Sequence, residues 1–320
     1  MELTQEPTRL PLNEELLAVL QCIYCRSPLN QQPDGFACSA CARRFPLVRG
    51  VTRFVELSNY ADSFGFQWQR YSRTQLDHDK VRNSEDHFRK KTVLRAEELK
   101  GKLVLDVGCG MGRFAEVATR WGAHVIGIDL STAAEVAARN LTDRDFVALQ
   151  ADVFRLPFAP ESFDYIYSIG VLHHTPDCEQ AVKVLPQYLK PGGTLAVWLY
   201  SGYNKWYRFT DLYRKYTHRM SPANLHRMLK IAVPFFYHLD RALRMVPVVG
   251  NPISGLVHHV FPVNRQANPE ARVLDTFDWY SPKYQSKHTY EQVFRWLEDC
   301  GLQDFHVGEV PIAVRGRKPA

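Results

Sequence analysis

The sequence predicts an α/β protein in which helices cover both faces of a parallel sheet and a small cysteine-rich module precedes that sheet. Three observations support this fold class. From Lys102 onward, short apolar runs alternate with helical patterns, which is typical of a parallel sheet flanked by helices. Four of the seven cysteines lie between residues 22 and 41. A basic and aromatic segment, residues 201–288, interrupts the alternation.

The composition is that of an ordinary globular chain, because 45% of the 320 residues are hydrophobic and 23% are charged. The first residues do not combine a basic region with an apolar core, so we expect no signal peptide. The longest stretch without a charged side chain, Met245–Val263, contains three prolines and two glycines, which argues against a membrane-spanning helix. We therefore expect a cytoplasmic protein.

The cysteine cluster has the spacing of a zinc site, C-x2-C-x12-C-x2-C. In a chain without an export signal, such a cluster indicates a metal rather than disulfides. Four thiolates complete a tetrahedral zinc site and leave no open position for chemistry, so the zinc would be structural. The alternative is four reduced cysteines without a metal. The predicted ligands are Cys22, Cys25, Cys38 and Cys41.

The residues around these cysteines resemble a known module. Leu16–Leu20 precedes the first pair, and Arg44–Val51 follows the second. With the cysteines, they resemble the zinc-ribbon domain of the small activator subunit of tRNA and protein methyltransferases, which also occurs fused in front of bacterial methyltransferases. The resemblance covers about residues 10–57.

The start of the alternating segment predicts a site for a nucleotide-containing cofactor. The apolar run Leu103–Val107 leads into a glycine turn, Gly108–Gly112, and then into a helical pattern that extends to about Trp121. A glycine turn lets a ligand approach the backbone closely. The second predicted strand, Val125–Asp129, ends in a carboxylate that can accept hydrogen bonds from a ribose. The third predicted strand is Phe146–Asp152.

Two details favour S-adenosylmethionine over a dinucleotide. The glycines have the spacing G-x-G-x-G, whereas dinucleotide-binding turns have G-x-G-x-x-G. Asp106 stands at the mouth of the turn. A carboxylate there would repel a pyrophosphate but attract the ammonium and sulfonium groups of S-adenosylmethionine.

Five segments resemble, in order, the motifs of class I S-adenosylmethionine-dependent methyltransferases, and the most similar branch (methyltransferase type 11) includes the quinone-biosynthesis enzymes. The resemblance implies a Rossmann-like seven-stranded methyltransferase sheet with helices on both faces. The five segments are Val104–Gly112, Ile128–Ser131, Ala151–Phe158, Phe163–His174 and Leu189–Leu195.

The resemblance also implies which residues bind the cofactor. Asp106 and the glycines would hold the methionine moiety, Asp129 the ribose, and Asp152 with Val153 the adenine. We predict three parts of the chain: a zinc-ribbon domain (1–57), a linker or lid region (58–100) and a methyltransferase domain (101–320) with a helical insertion after the fifth strand (201–288). The predicted cofactor-binding residues are Asp106, Gly108, Cys109, Gly110, Gly112, Asp129, Leu130, Asp152 and Val153.

Methyl transfer is an in-line displacement at an activated carbon, so the protein mainly aligns the reactants and excludes water. A base is needed only if the acceptor must lose a proton. His173 and His174 follow the fourth strand, where α/β sheets bind ligands, and His288 is a third candidate. The alternative is that these rings pack against the cofactor or orient a loop. The fourth motif lacks the Asn-Pro-Pro-Tyr type of sequence, which argues against methylation of an amide or an adenine amino group.

Two further segments should choose the substrate. Aromatic residues at 64, 66, 68 and 71 could close over the cofactor as a lid or dock the ribbon. Within the insertion, residues 201–265 carry ten Lys and Arg side chains against two carboxylates. They could cap the acceptor site, contact a membrane or a lipid-linked substrate, bind RNA, or form only a charged outer face.

The end of the insertion, Asp275–Tyr284, is similar to a string found in bacterial ribbon-bearing methyltransferases of polysaccharide or natural-product pathways. It is dense in hydrogen-bonding groups. Its candidate acceptor-site residues are Asp275, Tyr280 and Tyr284, together with His288.

These observations predict methyl transfer from S-adenosylmethionine to a small molecule or a glycan precursor, on oxygen rather than nitrogen. One alternative is an RNA base methyltransferase, because a zinc ribbon before the same catalytic fold resembles some ribosomal RNA guanine methyltransferases. A second alternative is a partner protein that has kept the fold without turnover. The complete glycine turn argues against the latter.

Overall fold

The computed structural model describes residues 14–56, 59–77, 83–203 and 208–320, without the side chains of residues 14–16 and 208–209. The beginning of the predicted ribbon and residues 204–207 of the predicted insertion lie outside the described residues. The strands are β1 Leu29–Gln32, β2 Gly35–Cys38, β3 Arg44–Val48, β4 Val51–Arg53, β5 Leu103–Val107, β6 His124–Asp129, β7 Phe146–Gln150, β8 Phe163–Ile169, β9 Leu189–Trp198, β10 Gln303–Val307 and β11 Ala313–Arg317.

Helices precede, separate and follow these strands. They are α1 Glu14–Val19, α2 Asp62–Arg70, α3 Ser84–Thr92, α4 Ala96–Leu99, α5 Arg113–Arg120, α6 Ala133–Asn140, α7 Cys178–Lys183, α8 Arg208–Thr217, α9 Pro222–Arg244, α10 Gly250–Val260, α11 Pro269–Tyr280 and α12 Tyr290–Asp299. Among the described residues, none of these helices is both long enough and apolar enough to cross a membrane.

The predicted α/β sheet is present, but it contains more strands than the seven expected. Seven strands have the order β7-β6-β5-β8-β9-β11-β10, with β11 antiparallel to both of its neighbours. Beyond β7 the ribbon adds β4, β3, β2 and β1, so the described sheet has eleven strands. The reason is that β4 pairs in parallel with β7, with Thr52 beside Leu149. This pairing satisfies the backbone groups of what would otherwise be a sheet edge.

Helices cover both faces of the sheet, because alternate residues of each strand point to opposite sides. On one face, Leu105 and Val107 of β5 share a hydrophobic core with α7 and α12. On the other face, Val104 of β5 shares a second core with α3, α5 and α6. All five residues of β5 are buried, as expected for a strand that is covered on both sides.

The ribbon is joined to the sheet by side chains as well as by strand pairing. Phe36 and Phe54 belong to the same hydrophobic core as β5. The Arg26 side chain donates hydrogen bonds to the carbonyl oxygens of Leu156 and Phe158. The ribbon is therefore part of the main core and does not hang from the sheet by a linker.

The insertion forms a helical layer, α8 to α11, with a core of its own. This third core joins the inner face of α9 to α11 and to Tyr71, just after α2. Phe66 of α2 packs against the rings of His226 and Phe277. Three of the four aromatic residues at 64–71 (Phe66, Trp68 and Tyr71) thus pack with the core of the insertion, a use not foreseen from the sequence.

Candidate active site

A cavity of about 600 Å³ lies at the carboxyl ends of β5, β6, β8 and β9. Ligands bind at this edge in open α/β sheets, and the volume is within the range of small-molecule sites. Its walls come from the glycine turn after β5, from α2 and α3, and from α11 of the insertion. Elements that are far apart in the sequence therefore enclose one space.

The glycine turn has a conformation and surroundings that only glycine allows. Gly108 has φ +80°, and a Cβ there would lie 2.3 Å from Cγ1 of Val171. Gly110 has φ +53°, and a Cβ there would lie 3.2 Å from Nε1 of Trp68 in α2. Gly108, Cys109 and Gly110 all line the cavity. Gly112 does not line the cavity; a Cβ there would lie 2.9 Å from Cδ1 of Leu141, just after α6.

Asp106 does not line the cavity; it lies behind this turn and is 3% exposed. Its Oδ2 atom has no hydrogen-bond partner among the described residues. Burial raises the pKa of Asp106 to about 8, the neighbouring Tyr167 hydroxyl opposes this shift, and the charge of Asp129 adds to it. A buried carboxylate that lacks a partner is costly. The ammonium of a bound methionine moiety would supply that partner.

Asp129 ends β6 and is held in place by three donors. Its Oδ2 accepts a hydrogen bond from the Gly110 amide (3.0 Å), and its Oδ1 accepts from the amide and the hydroxyl of Ser131 (2.8 and 2.7 Å). Asp129 lines the cavity, as do Leu130 and Val153. Burial raises the pKa of Asp129. Its Oδ2 retains a lone pair that a ribose hydroxyl can use.

Asp152 does not line the cavity, although its neighbour Val153 does. Its Oδ1 accepts a hydrogen bond from the Phe154 amide and caps a short 3-10 turn. Tyr60, which sequence reasoning missed, lines the cavity close by. Burial and the charges of Asp152 and Asp129 raise the pKa of its hydroxyl, so Tyr60 stays a neutral donor beside both carboxylates.

Of the three candidate histidines, only His174 lines the cavity. Its Nδ1 lies 3.0 Å from the Tyr284 carbonyl oxygen, to which it must donate. Burial lowers the pKa of His174, so the ring is neutral and its Nε2 carries a lone pair. Nε2 forms no hydrogen bond with a described residue.

His173 and His288 are placed elsewhere. His173 is fully buried and stacks on the Tyr200 ring, with 3.8 Å between ring centroids. The Nε2 atom of His288 lies 2.7 Å from the Ser286 hydroxyl oxygen. The rings of His173 and His174 are in contact, with 4.2 Å between their centroids, but only the ring of His174 reaches the cavity.

The far end of the cavity combines charged and aromatic side chains. Asp275, Asp278 and Trp279 reach it from α11. Burial and the charge of Asp278 raise the pKa of Asp275 to about 6. Asp278 accepts a hydrogen bond from the Tyr200 hydroxyl (3.1 Å).

Tyr280 does not line the cavity, because its hydroxyl donates to the Pro262 carbonyl. Tyr284 contributes its backbone carbonyl, which accepts the hydrogen bond that orients His174.

Two cations that line the cavity were missed from the sequence. Lys91 lies in the last turn of α3, and its Nζ is 3.7 Å from the centroid of the Trp198 ring, at the end of β9. Burial and the charge of Arg113 lower the pKa of Lys91 to about 8. Arg113 begins α5 and donates hydrogen bonds to Ser84 and Asn83. The one available signal was that Arg113 follows the glycine turn directly.

The four ribbon cysteines come together as predicted, with their Sγ atoms within 4.8 Å of one another. The Sγ atoms of Cys22 and Cys41 are 3.7 Å apart, and those of Cys25 and Cys38 are 3.3 Å apart. A tetrahedron with zinc–sulfur distances of about 2.3 Å has edges of about 3.8 Å. The cluster therefore has the composition and nearly the size of a tetrahedral thiolate site.

Comparisons with known proteins agree with this geometry. The sequence family described as "Methyltransferase domain" matches residues 105–197. The ubiquinone biosynthesis O-methyltransferase of Alkalilimnicola ehrlichii is 33% identical over 172 residues, which cover 52% of this chain and 68% of that enzyme. The human protein named "Probable tRNA methyltransferase 9B" is 35% identical over 108 residues, which cover 33% of this chain and 23% of that protein.

A solved structure of an S-adenosylmethionine-dependent methyltransferase from Mesorhizobium loti aligns with a TM-score of 0.42 and 18% identity, covering 73% of this chain and 98% of that one. The family match and the relative from Alkalilimnicola ehrlichii together establish the identity of the catalytic part. This chain belongs to the class I S-adenosylmethionine-dependent methyltransferases.

Proposed function

We propose that this enzyme methylates a hydroxyl group of a small molecule or a glycan precursor. The observation that carries the proposal is the single cavity that extends from the glycine turn to the polar and aromatic side chains of α11. A cavity volume of about 600 Å³ suits a cofactor together with a compact acceptor. The relative named as a ubiquinone biosynthesis O-methyltransferase supports oxygen as the methylated atom.

The residues that line the cavity, together with Asp106 just behind its wall, fit both ends of the cofactor. Asp106 would hold the ammonium of the methionine moiety, and Arg113, just after the glycine turn, would hold its carboxylate. Asp129 would hold the ribose, with Tyr60 and Val153 near the adenine. The bound cofactor supplies a methyl group on a positively charged sulfur, so the acceptor oxygen needs only an in-line approach and the loss of its proton.

We assign the proton transfer to His174. Its Nδ1 proton is committed to the Tyr284 carbonyl, so the lone pair on Nε2 can take the proton of the acceptor hydroxyl. Its lowered pKa keeps the ring unprotonated at neutral pH. Lys91 and Asp275, which face the same end of the cavity, would position the acceptor, and the aromatic walls would exclude water.

Replacing His174 with glutamine should lower kcat about 100-fold or more, the usual contribution of a general base. The affinity for S-adenosylhomocysteine should change little, since the cofactor is held elsewhere. His288→Gln is the matched control, because His288 does not line the cavity. Steady-state kinetics and calorimetry on both variants check this. A His174→Gln enzyme with the kcat of the control would remove His174 from the mechanism.

The acceptor class can be tested directly by transfer of a labelled methyl group. We expect the label on phenolic or sugar hydroxyls of small molecules and none on total RNA. The human relative makes RNA the alternative. However, the cavity is lined by three carboxylates (Asp129, Asp275 and Asp278) against two cations (Lys91 and Arg113), so it has no excess of positive charge for an RNA phosphate. Label found on RNA and on none of the hydroxylated compounds would overturn the proposal.

The ribbon has a structural part in this proposal. We propose that one zinc ion binds Cys22, Cys25, Cys38 and Cys41, and that the chain divides into the ribbon (1–57), a lid region (58–100) and the methyltransferase domain (101–320). The lid assignment is supported by Phe64 and Trp68 of α2, which line the cavity.

A further inference from the structure

The turn between α9 and α10 exposes an unbroken apolar run. Met245, Val246, Pro247, Val248 and Val249 follow one another, and all five are exposed. Val248 is 93% exposed and Met245 is 76% exposed. Scattered apolar side chains are normal on a protein surface, but contiguous patches mark interaction sites. The run is therefore a candidate site for binding to an apolar surface outside this chain.

Helix α9 extends this apolar surface, because it has two apolar stripes. The inner stripe, with Leu225, Leu229 and Val233, is buried in the core of the insertion. The outer stripe has the helical spacing of Met228, Ile231 and Phe235 and faces away from that core. Ile231 is 73% exposed and Phe235 is 61% exposed. A helix with one buried side normally presents polar residues on the other.

The first turns of α10 add two exposed apolar side chains next to the run at 245–249. Ile253 and Leu256 lie one and two turns after Val249, and both are exposed. We use the term hairpin face for the outer stripe of α9, the run at 245–249 and these two residues. The buried side of α9 packs with α11, and α11 walls the cavity. The hairpin face is thus one helix removed from the cavity, on the far side of α9 from α11.

The charges beside the hairpin face have one sign. Arg227, Lys230 and Arg241 are exposed on α9. The only carboxylates in residues 201–265 are Asp211 and Asp240, and both are paired. Asp211 pairs with Arg214 and Lys287.

Asp240 is buried and pairs with Arg244 and Arg265. Its neighbours lower its pKa, so it remains a carboxylate within this pair. The negative charges of the segment are therefore neutralised internally, and the exposed cations carry the electrostatic character of the hairpin face.

We propose that the hairpin face binds the surface of a membrane that contains anionic lipids. Exposed apolar side chains beside Lys and Arg are the combination that inserts into the interfacial region while contacting anionic headgroups. RNA could pair with the cations, but it has no apolar surface against which Val248, Val249 and Ile231 could be buried. A symmetric second copy would bring the same cations toward each other. The proposal does not depend on the acceptor, because the hairpin face is outside the cavity.

The experiment is sedimentation of the full chain with vesicles of equimolar phosphatidylcholine and phosphatidylglycerol, and with vesicles of phosphatidylcholine alone. We expect binding to the anionic vesicles that weakens in high salt. Val248→Asp with Val249→Asp should reduce this binding by at least about tenfold, since two apolar side chains are removed from the insertion. Arg227→Gln with Lys230→Gln should reduce it about fivefold for each cation.

Val307→Asp is the matched control, because Val307 is 50% exposed on β10, outside the insertion. It should bind vesicles like the unmodified protein. Unchanged thermal unfolding and S-adenosylhomocysteine binding would show that the double valine variant is folded. The proposal fails if that variant binds anionic vesicles as well as the control does. It also fails if the unmodified protein binds no vesicles. If, in that case, the double valine variant loses self-association or RNA binding, the hairpin face is an interface for a second copy or for RNA and not for a membrane.

Discussion

Replacing Asp106 with asparagine should weaken the binding of S-adenosylhomocysteine about 10- to 100-fold, the worth of a hydrogen bond to a charged group. Asparagine keeps the shape of the side chain but cannot pair with the ammonium of the ligand. Asp143→Asn, in an exposed turn, is the matched control and should bind as tightly as the unmodified protein. Calorimetric titration of both variants makes the comparison.

The same substitution should also make the ligand-free protein more stable. Burial raises the pKa of Asp106 from 3.8 to about 8, so the folded state keeps a proton that the unfolded state releases above pH 3.8. Stability is therefore lost as the pH rises between these two values. Asparagine removes this dependence, and at neutral pH the variant should melt at a higher temperature.

Ligand affinity should change with pH in the opposite direction. An ammonium binds the ionised carboxylate, so the affinity of the unmodified protein should increase as the pH rises toward about 8. The Asp106→Asn variant should lack this increase. Equal affinity and equal pH dependence in the two proteins would show that Asp106 does not meet the ligand.

Loss of zinc should destabilise the methyltransferase sheet as well as the ribbon. Structural zinc sites contribute about 10–16 kcal/mol of apparent binding free energy in small domains. Here the ribbon residues Phe36 and Phe54 share a core with β5, and β4 is hydrogen-bonded to β7. We therefore expect Cys38→Ser, or strong chelation, to lower the melting temperature of the whole protein and to weaken cofactor binding.

The matched control is Cys300→Ser, because Cys300 is only partly buried and lies outside the cluster. Elemental analysis should find one zinc ion per chain in the control and less in Cys38→Ser. Thermal unfolding with and without a chelator completes the test. A zinc-free protein that melts like the control would show that the four thiols have no structural metal.

The placement of Gly108, Gly110 and Asp129 at the cavity could be predicted from the sequence, because short-range patterns determine it. The glycine turn, Asp106 and Asp129 lie within one strand–turn–helix–strand unit, and each position follows from the end of a strand. The four cysteines are similarly local, since they span residues 22–41.

The acceptor end could not be predicted, because it is assembled from distant segments. Lys91 lies in the last turn of α3, Trp198 ends β9, and Asp275 lies in α11. They meet only when the helices pack, and the hydrophobic periodicity of the sequence does not indicate which helices pack together. The count of strands failed for the same reason, since the pairing of β4 with β7 depends on where the ribbon docks.

The side-chain directions of His173 and His174 were likewise beyond the sequence. Both residues are buried, and only the 3-10 turn decides which ring reaches the cavity. A pattern of adjacent histidines contains no information about that turn.

The pairing of β4 with β7 has a consequence for biosynthesis. Thr52 and Leu149 are about 100 residues apart, and contacts of such long range form slowly. The cysteines leave the ribosome early, so the ribbon can load its metal while β7 has not yet been translated. Until then the edge of β4 is unpaired, and an unpaired strand edge is open to other chains. We therefore expect zinc starvation during expression to give aggregates, and the same starvation after folding is complete to give a slower loss of the soluble enzyme.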